Sequence, residues 1–193
     1  MQVPHERLIL ASQSPRRREL MTEAGLAFEV IAPHESAECG VCSRETPPEL
    51  VARLAFQKGR DVAERIESGL IVACDTVAEC RGHILGKPKN RRHAREMLRL
   101  LRGTEHRVYS GLCLWRRPDN RLRTRVDVTV LRMDDLSDEQ LTEYLDSNAW
   151  EGKAGAFGYQ DRVGWLHVVE GSESNVVGLP MELLETMFAE FAD

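Results

Sequence analysis

Leu8-Ile9-Leu10-Ala11-Ser12-Gln13-Ser14-Pro15-Arg16-Arg17-Arg18 is the stretch that decides the architecture of this chain. Four apolar residues in a row have the length of a strand buried on both faces, and Ser14-Pro15 then supplies an N-cap and a proline at the first helical position. The spacing predicts a helix from Pro15 to Ala24 that stops at Gly25. A buried strand feeding directly into a helix is the building unit of an α/β protein.

The same alternation continues outward. Phe28 to Ile31 reads as a second short strand, followed by an irregular polar stretch from Pro33 to Glu45. Thr46-Pro47-Pro48-Glu49 is a capping box, and Leu50, Val51, Leu54, Ala55, Val62 and Ile66 follow at helical spacing up to Gly69. Leu70 to Cys74 reads as a strand running into Asp75, and Val77 to Leu85 as a hairpin turning at Arg81-Gly82. A helix from Asn90 to Gly103 turns Ala94, Met97, Leu98 and Leu101 inward. His106 to Trp115 and Leu122 to Met133 alternate as two antiparallel strands. Ser137 with Gln140 caps a further helix to Asp146, Gly152 to Gly158 is rich in small residues, Trp165 to Val169 is a strand, and Pro180 opens a last helix. No linker, repeat or low-complexity tract interrupts this order. The expectation is therefore one α/β domain over residues 7–190, a mixed twisted sheet flanked by helices.

The composition narrows the function. Hydrophobic residues make up 42% of the 193 and charged residues 30%, enough apolar surface to offset chain entropy, which excludes disorder for most of the chain. With 26 Lys and Arg against 31 Asp and Glu, the net charge of -5 has the wrong sign for binding nucleic acid through the overall field, so no stable nucleic-acid partner is expected. No apolar run approaches the ~18–20 residues of a membrane helix. Arg16, Arg17 and Arg18 follow a four-residue apolar core instead of preceding a longer one, so no signal peptide is expected and the default location is the cytosol. Five cysteines, an odd number, point to reduced thiols. Cys39-Gly40-Val41-Cys42 has the spacing of half a zinc site or a redox pair, but no second such pair follows, and zinc is the weaker reading.

Three features carry chemistry. Ser12 to Arg18 brings hydroxyls, helix N-terminal N–H groups and guanidinium forks together after a strand, an arrangement suited to phosphate. A surface helix with solvated arginines explains the fragment equally well. Asp75 follows a buried strand at the end where α/β proteins place ligands and suits a general base or metal ligand, with a strand-end Asx-turn as the alternative. Lys58 and Lys87, the latter within Gly86-Lys87-Pro88, add cations. Gly152 to Gln160 would let a ligand approach the backbone, and the Gln160 amide has the paired donor and acceptor of a base reader.

Taken in order, these pieces resemble the Maf family of nucleoside triphosphate pyrophosphatases. The resemblance runs through Leu10 to Leu20, Arg53 to Lys58, Asp75-Thr76-Val77, Ile84 to Pro88, Trp150 to Gln160 and Glu170 to Pro180. It implies an ITPase-like α/β fold and hydrolysis of a nucleoside triphosphate between its α and β phosphates with a divalent cation, Mg²⁺ or Mn²⁺. The Asp-Thr-Val and Lys-Ala-Gly-Ala-Phe-Gly-Tyr-Gln versions resemble the branch that prefers dTTP and UTP. Action on 7-methyl-GTP or another modified nucleotide, and a regulator that binds nucleotide without turnover, are the alternatives. By resemblance Asp75 is the proton acceptor and a metal ligand. Arg16, Thr76 and Gln160 are linked to base preference, and Ser12, Arg17, Lys58 and Lys87 line the substrate pocket. The second acidic metal ligand is Glu38 or Glu35, and a homodimer is suggested. Cys74 and Gly59 stand where alanine or another small residue is usual, and Asp161 stands where the family has glycine.

Overall fold

In a computed structural model, residues 6–38, 45–161 and 164–191 are described. Cys39-Gly40-Val41-Cys42 lies outside them. The strands are β1 (Leu8–Ala11), β2 (Glu29–Val30), β3 (Gly69–Cys80), β4 (His83–Leu85), β5 (Glu105–Arg117), β6 (Leu122–Met133) and β7 (Leu166–Glu170). The α-helices are α1 (Pro15–Glu23), α2 (Pro47–Ala63), α3 (Arg91–Leu101), α4 (Asp138–Asp146), α5 (Glu173–Val177) and α6 (Met181–Phe191). All seven strands form one sheet in the order β2-β1-β3-β5-β6-β7, with β4 on the free edge of β3. β1 is parallel to β2 and β3, whereas β5, β6 and β7 add antiparallel, so the sheet is mixed.

Strand alternation sorts the core. Leu8, Leu10, Leu70, Val72, Cys74, Leu112 and Leu114 face Met21 of α1 and Leu184, Met187 and Phe188 of α6. Their neighbours Ile9, Ala11, Ile71, Ala73 and Cys113 face Ala55 and Val62 of α2 on the other side. This two-sided burial is why the central strands read as unbroken apolar runs. A second core fills the far end of the sheet, where Ala78, Val108, Leu131 and Met133 pack on Met97 and Leu98 of α3 and Leu141 and Leu145 of α4.

Three expectations change. β3 does not end before Asp75 but runs unbroken for twelve residues, because its antiparallel ladder with β5 continues from Gly69↔Arg117 to Glu79↔Arg107. α2 ends at Ala63 rather than near Gly69, which instead opens β3 at φ 130°. The serine-capped helix α5 lies in a stretch where no element is expected.

β1 stops at Ala11, opposite Ala73, while β3 continues. The sheet therefore opens beside Asp75 and Thr76, at the seam between the two cores. That opening is the site.

Candidate active site

A cleft of about 720 Å³ occupies this opening, and Ser12, Arg16, Arg17, Lys58, Asp75, Thr76, Lys87 and Gln160 all line it. Eight residues from five separated segments thus converge on one cavity. Glu35 is exposed and is not part of the lining; Glu38 belongs to the 3-10 turn Glu35–Glu38, which packs on α2, and its side chain is outside the described set.

Asp75 does not make an Asx-turn. It sits mid-strand, paired with Gly111, and the period of two puts it on the α2 side with Ala73 and Val77. There Lys58 Nζ donates to its Oδ1 at 2.6 Å, the two side chains being 5% and 15% exposed. No described residue donates to Oδ2. Burial at this level exempts the pair from most of the screening that weakens surface ion pairs.

Thr76 points the other way and joins a hydroxyl and guanidinium network. Arg17 donates through Nε to Gly178 O at 2.7 Å, through Nη1 to Ser12 Oγ at 3.2 Å and through Nη2 to Thr76 Oγ1 at 3.2 Å. Three of its five N–H groups are thus committed, and two remain for a ligand. Thr76 Oγ1 lies 2.8 Å from Ser110 Oγ, and Ser110 reaches the Asn175 carbonyl at 3.4 Å. Asn175 in turn donates to Val108 O and Thr129 Oγ1. Gly178, Ser110 and Asn175 are therefore structural members of the site that sequence reading did not single out; Ser172, which caps Asn175 N–H three residues on, was the available signal.

The start of α1 differs from its sequence reading in a useful way. Ser14 occupies the N-cap position, but its hydroxyl makes no capping bond; Ser12 Oγ accepts the Ser14 N–H instead, at 3.1 Å. No acidic side chain fills the first turn. The end of the helix dipole thus faces the cleft without a side-chain cap, a position that favours an anion. Arg16 donates to Gly152 O at 3.1 Å, linking α1 to the glycine-rich loop. Burial and the neighbouring Arg17 pull the Arg16 guanidinium below its usual value, with Asp161 and Glu19 opposing.

Lys87 is exposed on the rim, and Phe157, Val108, Val176 and Val177 supply the apolar part of the wall. The cleft is therefore polar and cationic around Asp75, Arg17 and Lys87, with a hydrophobic strip alongside. A ligand with a polyanionic and a flat apolar part matches both.

The fold is that of an α/β protein: it superimposes on the structure of a HAM1 protein from Coxiella burnetii with a TM-score of 0.52 and 14% identity, covering 95% of this chain and 98% of that one. Within that class the chain belongs to the Maf family, described as Maf-like protein, which matches residues 7–191. A relative named dTTP/UTP pyrophosphatase from Rhodopirellula baltica is 59% identical over 96% of this chain and 82% of its own length. Another of that name, from Carboxydothermus hydrogenoformans, is 41% identical over 92% of this chain and 95% of its own.

Proposed function

We propose that this protein is a nucleoside triphosphate pyrophosphatase that hydrolyses dTTP and UTP to the monophosphate and pyrophosphate. The observation that carries the reading is the Lys58–Asp75 pair set among Arg16, Arg17 and Lys87 in one cleft. The names of the similar proteins support the choice of substrate.

Cleavage of the α,β-anhydride needs cations around the phosphates and a base that orients water. Lys58 fixes Asp75 through Oδ1, which leaves Oδ2 to hold a water and take its proton as the water attacks. Arg17, held rigid by Gly178, Ser12 and Thr76, presents its two remaining N–H groups, and Lys87 reaches in from the rim. The nucleobase would then lie along Phe157 and the valines, which line the same cleft as Gln160.

Mg²⁺ is commonly held by one or two carboxylates together with substrate phosphates and water. Among the described residues there is no cluster of three His, Cys, Asp or Glu; the groups that would hold the ion are Asp75, through the oxygen that Lys58 leaves free, the triphosphate and, by the family resemblance alone, Glu38. An Mg²⁺ or Mn²⁺ ion held there would supply neutralisation of the charge that develops on the pyrophosphate leaving group. No described helix is long and apolar enough to cross a membrane. A cytoplasmic location and a homodimeric state complete the proposal.

Pyrophosphate release from the eight common triphosphates and 7-methyl-GTP, with Mg²⁺ present, tests it. Fastest turnover of dTTP and UTP is expected. Fastest turnover of 7-methyl-GTP or a purine replaces the substrate, and nucleotide binding without any release leaves only a regulator.

A further inference from the structure

Gln160 is exposed, and among the described residues its side chain makes no hydrogen bond, yet both of its neighbours are tied down. It belongs to the 3-10 turn Tyr159–Asp161, closed by Asp161 N–H donating to Gly158 O at 3.2 Å. Before it, Tyr159 OH donates to Glu173 Oε1 of α5 at 2.8 Å. After it, the Asp161 carboxylate receives Lys153 Nζ on both oxygens, at 2.5 and 2.6 Å, and Tyr144 OH of α4 on Oδ2 at 2.9 Å.

The Lys153–Asp161 pair also fits its setting closely. Its side chains are 11% and 17% exposed, so it is shielded from solvent. It crosses the bare face of Gly158, where a Cβ would lie 2.5 Å from Lys153 Nζ and 2.8 Å from Asp161 Oδ2. A side chain at 158 would require Lys153 or Asp161 to shift. Lys153 is one of the residues lining the cleft, and its ammonium is turned to Asp161 across Gly158.

We propose that Asp161 is a positioning residue for base selection: through Lys153 and Tyr144 it fixes the turn from which Gln160 reads the base. The inference rests on the nucleotide reading above and adds to it a group particular to this chain, at a position where the family has glycine, that holds Gln160 in place. A glutamine on an unsupported three-residue turn would lose backbone as well as side-chain freedom on binding; with Tyr159 and Asp161 anchored, only its own rotamers remain to be ordered. A rigid amide discriminates between bases because it does not turn to suit a mismatched edge.

Asp161→Asn and Asp161→Glu test it with two readouts. The chain has four lysines, Lys58, Lys87, Lys89 and Lys153, so acetic anhydride labelling followed by mass spectrometry reports Lys153 separately. In Asp161→Asn, Lys153 should label about fivefold faster or more, and the kcat/KM ratio of dTTP to dCTP should fall by about fivefold or more, the scale of one lost hydrogen bond. KM for dTTP should carry most of the change, with kcat largely retained, and Asp161→Glu, which keeps the carboxylate, should behave as the parent. Unchanged Lys153 labelling in Asp161→Asn overturns the clamp. Faster labelling with an unchanged ratio, or an equal loss for every nucleotide, overturns the positioning role. A parent protein that releases pyrophosphate from no triphosphate removes the enzymatic reading, while labelling still decides whether Asp161 restrains Lys153.

Discussion

Lys58 Nζ of α2 lies 2.6 Å from Oδ1 of Asp75 in the middle of β3, so the proposed base and its orienting cation are brought together by the packing of α2 across the central strand. Each group needs the other. A carboxylate 15% exposed without its ammonium would be a nearly buried, unpaired charge.

Asp75→Asn keeps the shape and removes the base, so kcat should fall about 10²-fold or more in a protein that still folds. Lys58→Ala should reduce turnover and also cost about 3 kcal/mol of stability, the scale for breaking a buried pair from one side. Pyrophosphate release and urea unfolding check both. Near-normal turnover of folded Asp75→Asn would falsify the assignment.

Arg17 and Lys87 should separate by their roles in the fold. Lys87→Ala, at an exposed position, should raise KM and leave the melting temperature unchanged. Arg17→Lys forfeits the fork that joins Gly178, Ser12 and Thr76, and should lose activity together with about 1–3 kcal/mol of stability. Equal melting temperatures for the two variants would contradict this division.

Gly111 is a position where the backbone of α2 comes directly against the sheet. A Cβ there would overlap the Val51 carbonyl and sit 2.7 Å from Ala52 N, both backbone atoms of α2. Gly111 pairs with Asp75, so displacing α2 at this level also draws Lys58 away from its partner. Gly111→Ala should cost about 3 kcal/mol or more and lower kcat, measured by thermal unfolding and turnover at a temperature where the variant is folded.

Stability should decline in mild acid through His106. The residue is 2% exposed on β5, its ring edge-on to Phe157 at 5.2 Å, and burial pushes its imidazole down from 6.5 to about 4 against a weaker opposing contact with the Thr104 backbone. Below 6.5 the unfolded chain binds a proton that the folded chain refuses, so stability is full above 6.5 and is lost as pH falls toward 4, by about 3 kcal/mol in total. His106→Leu should remove this part of the slope in urea titrations at pH 5 and pH 7.5. An identical slope in both proteins would assign it to other groups.

Gln160→Ala should lower kcat/KM for dTTP and UTP by the equivalent of about 1–3 kcal/mol and leave poorer substrates nearly unchanged. Thymine and uracil present a carbonyl, N–H, carbonyl edge to which one amide can both donate and accept, whereas cytosine does not. A uniform loss across all triphosphates would remove Gln160 from base recognition.

Local order was legible in the residues themselves. The apolar run of β1, the reciprocal Thr46–Glu49 cap of α2 and the Asn90 cap of α3 are interactions between residues a few positions apart, and they lie where the sequence reading puts them. The ordered motifs also singled out the eight residues that now share one cleft. Elements whose ends depend on a distant partner were not legible: β3 passes through Asp75 only because β5 pairs with it there, and α5 has five residues, too few for a periodic signal.

By itself, then, the sequence determined the class of fold and the chemical types present at the site, because composition, period and capping act along the chain, and its ordered motifs carried the resemblance to the family. Tertiary structure alone decided which of those groups are committed and which remain available. Arg17 is anchored 161 positions away at Gly178, Lys58 is engaged by Asp75, and Asp161 holds Lys153 across Gly158. These are choices between partners, made by which side chains the packed sheet brings within hydrogen-bond distance, and a one-dimensional pattern does not contain that distance.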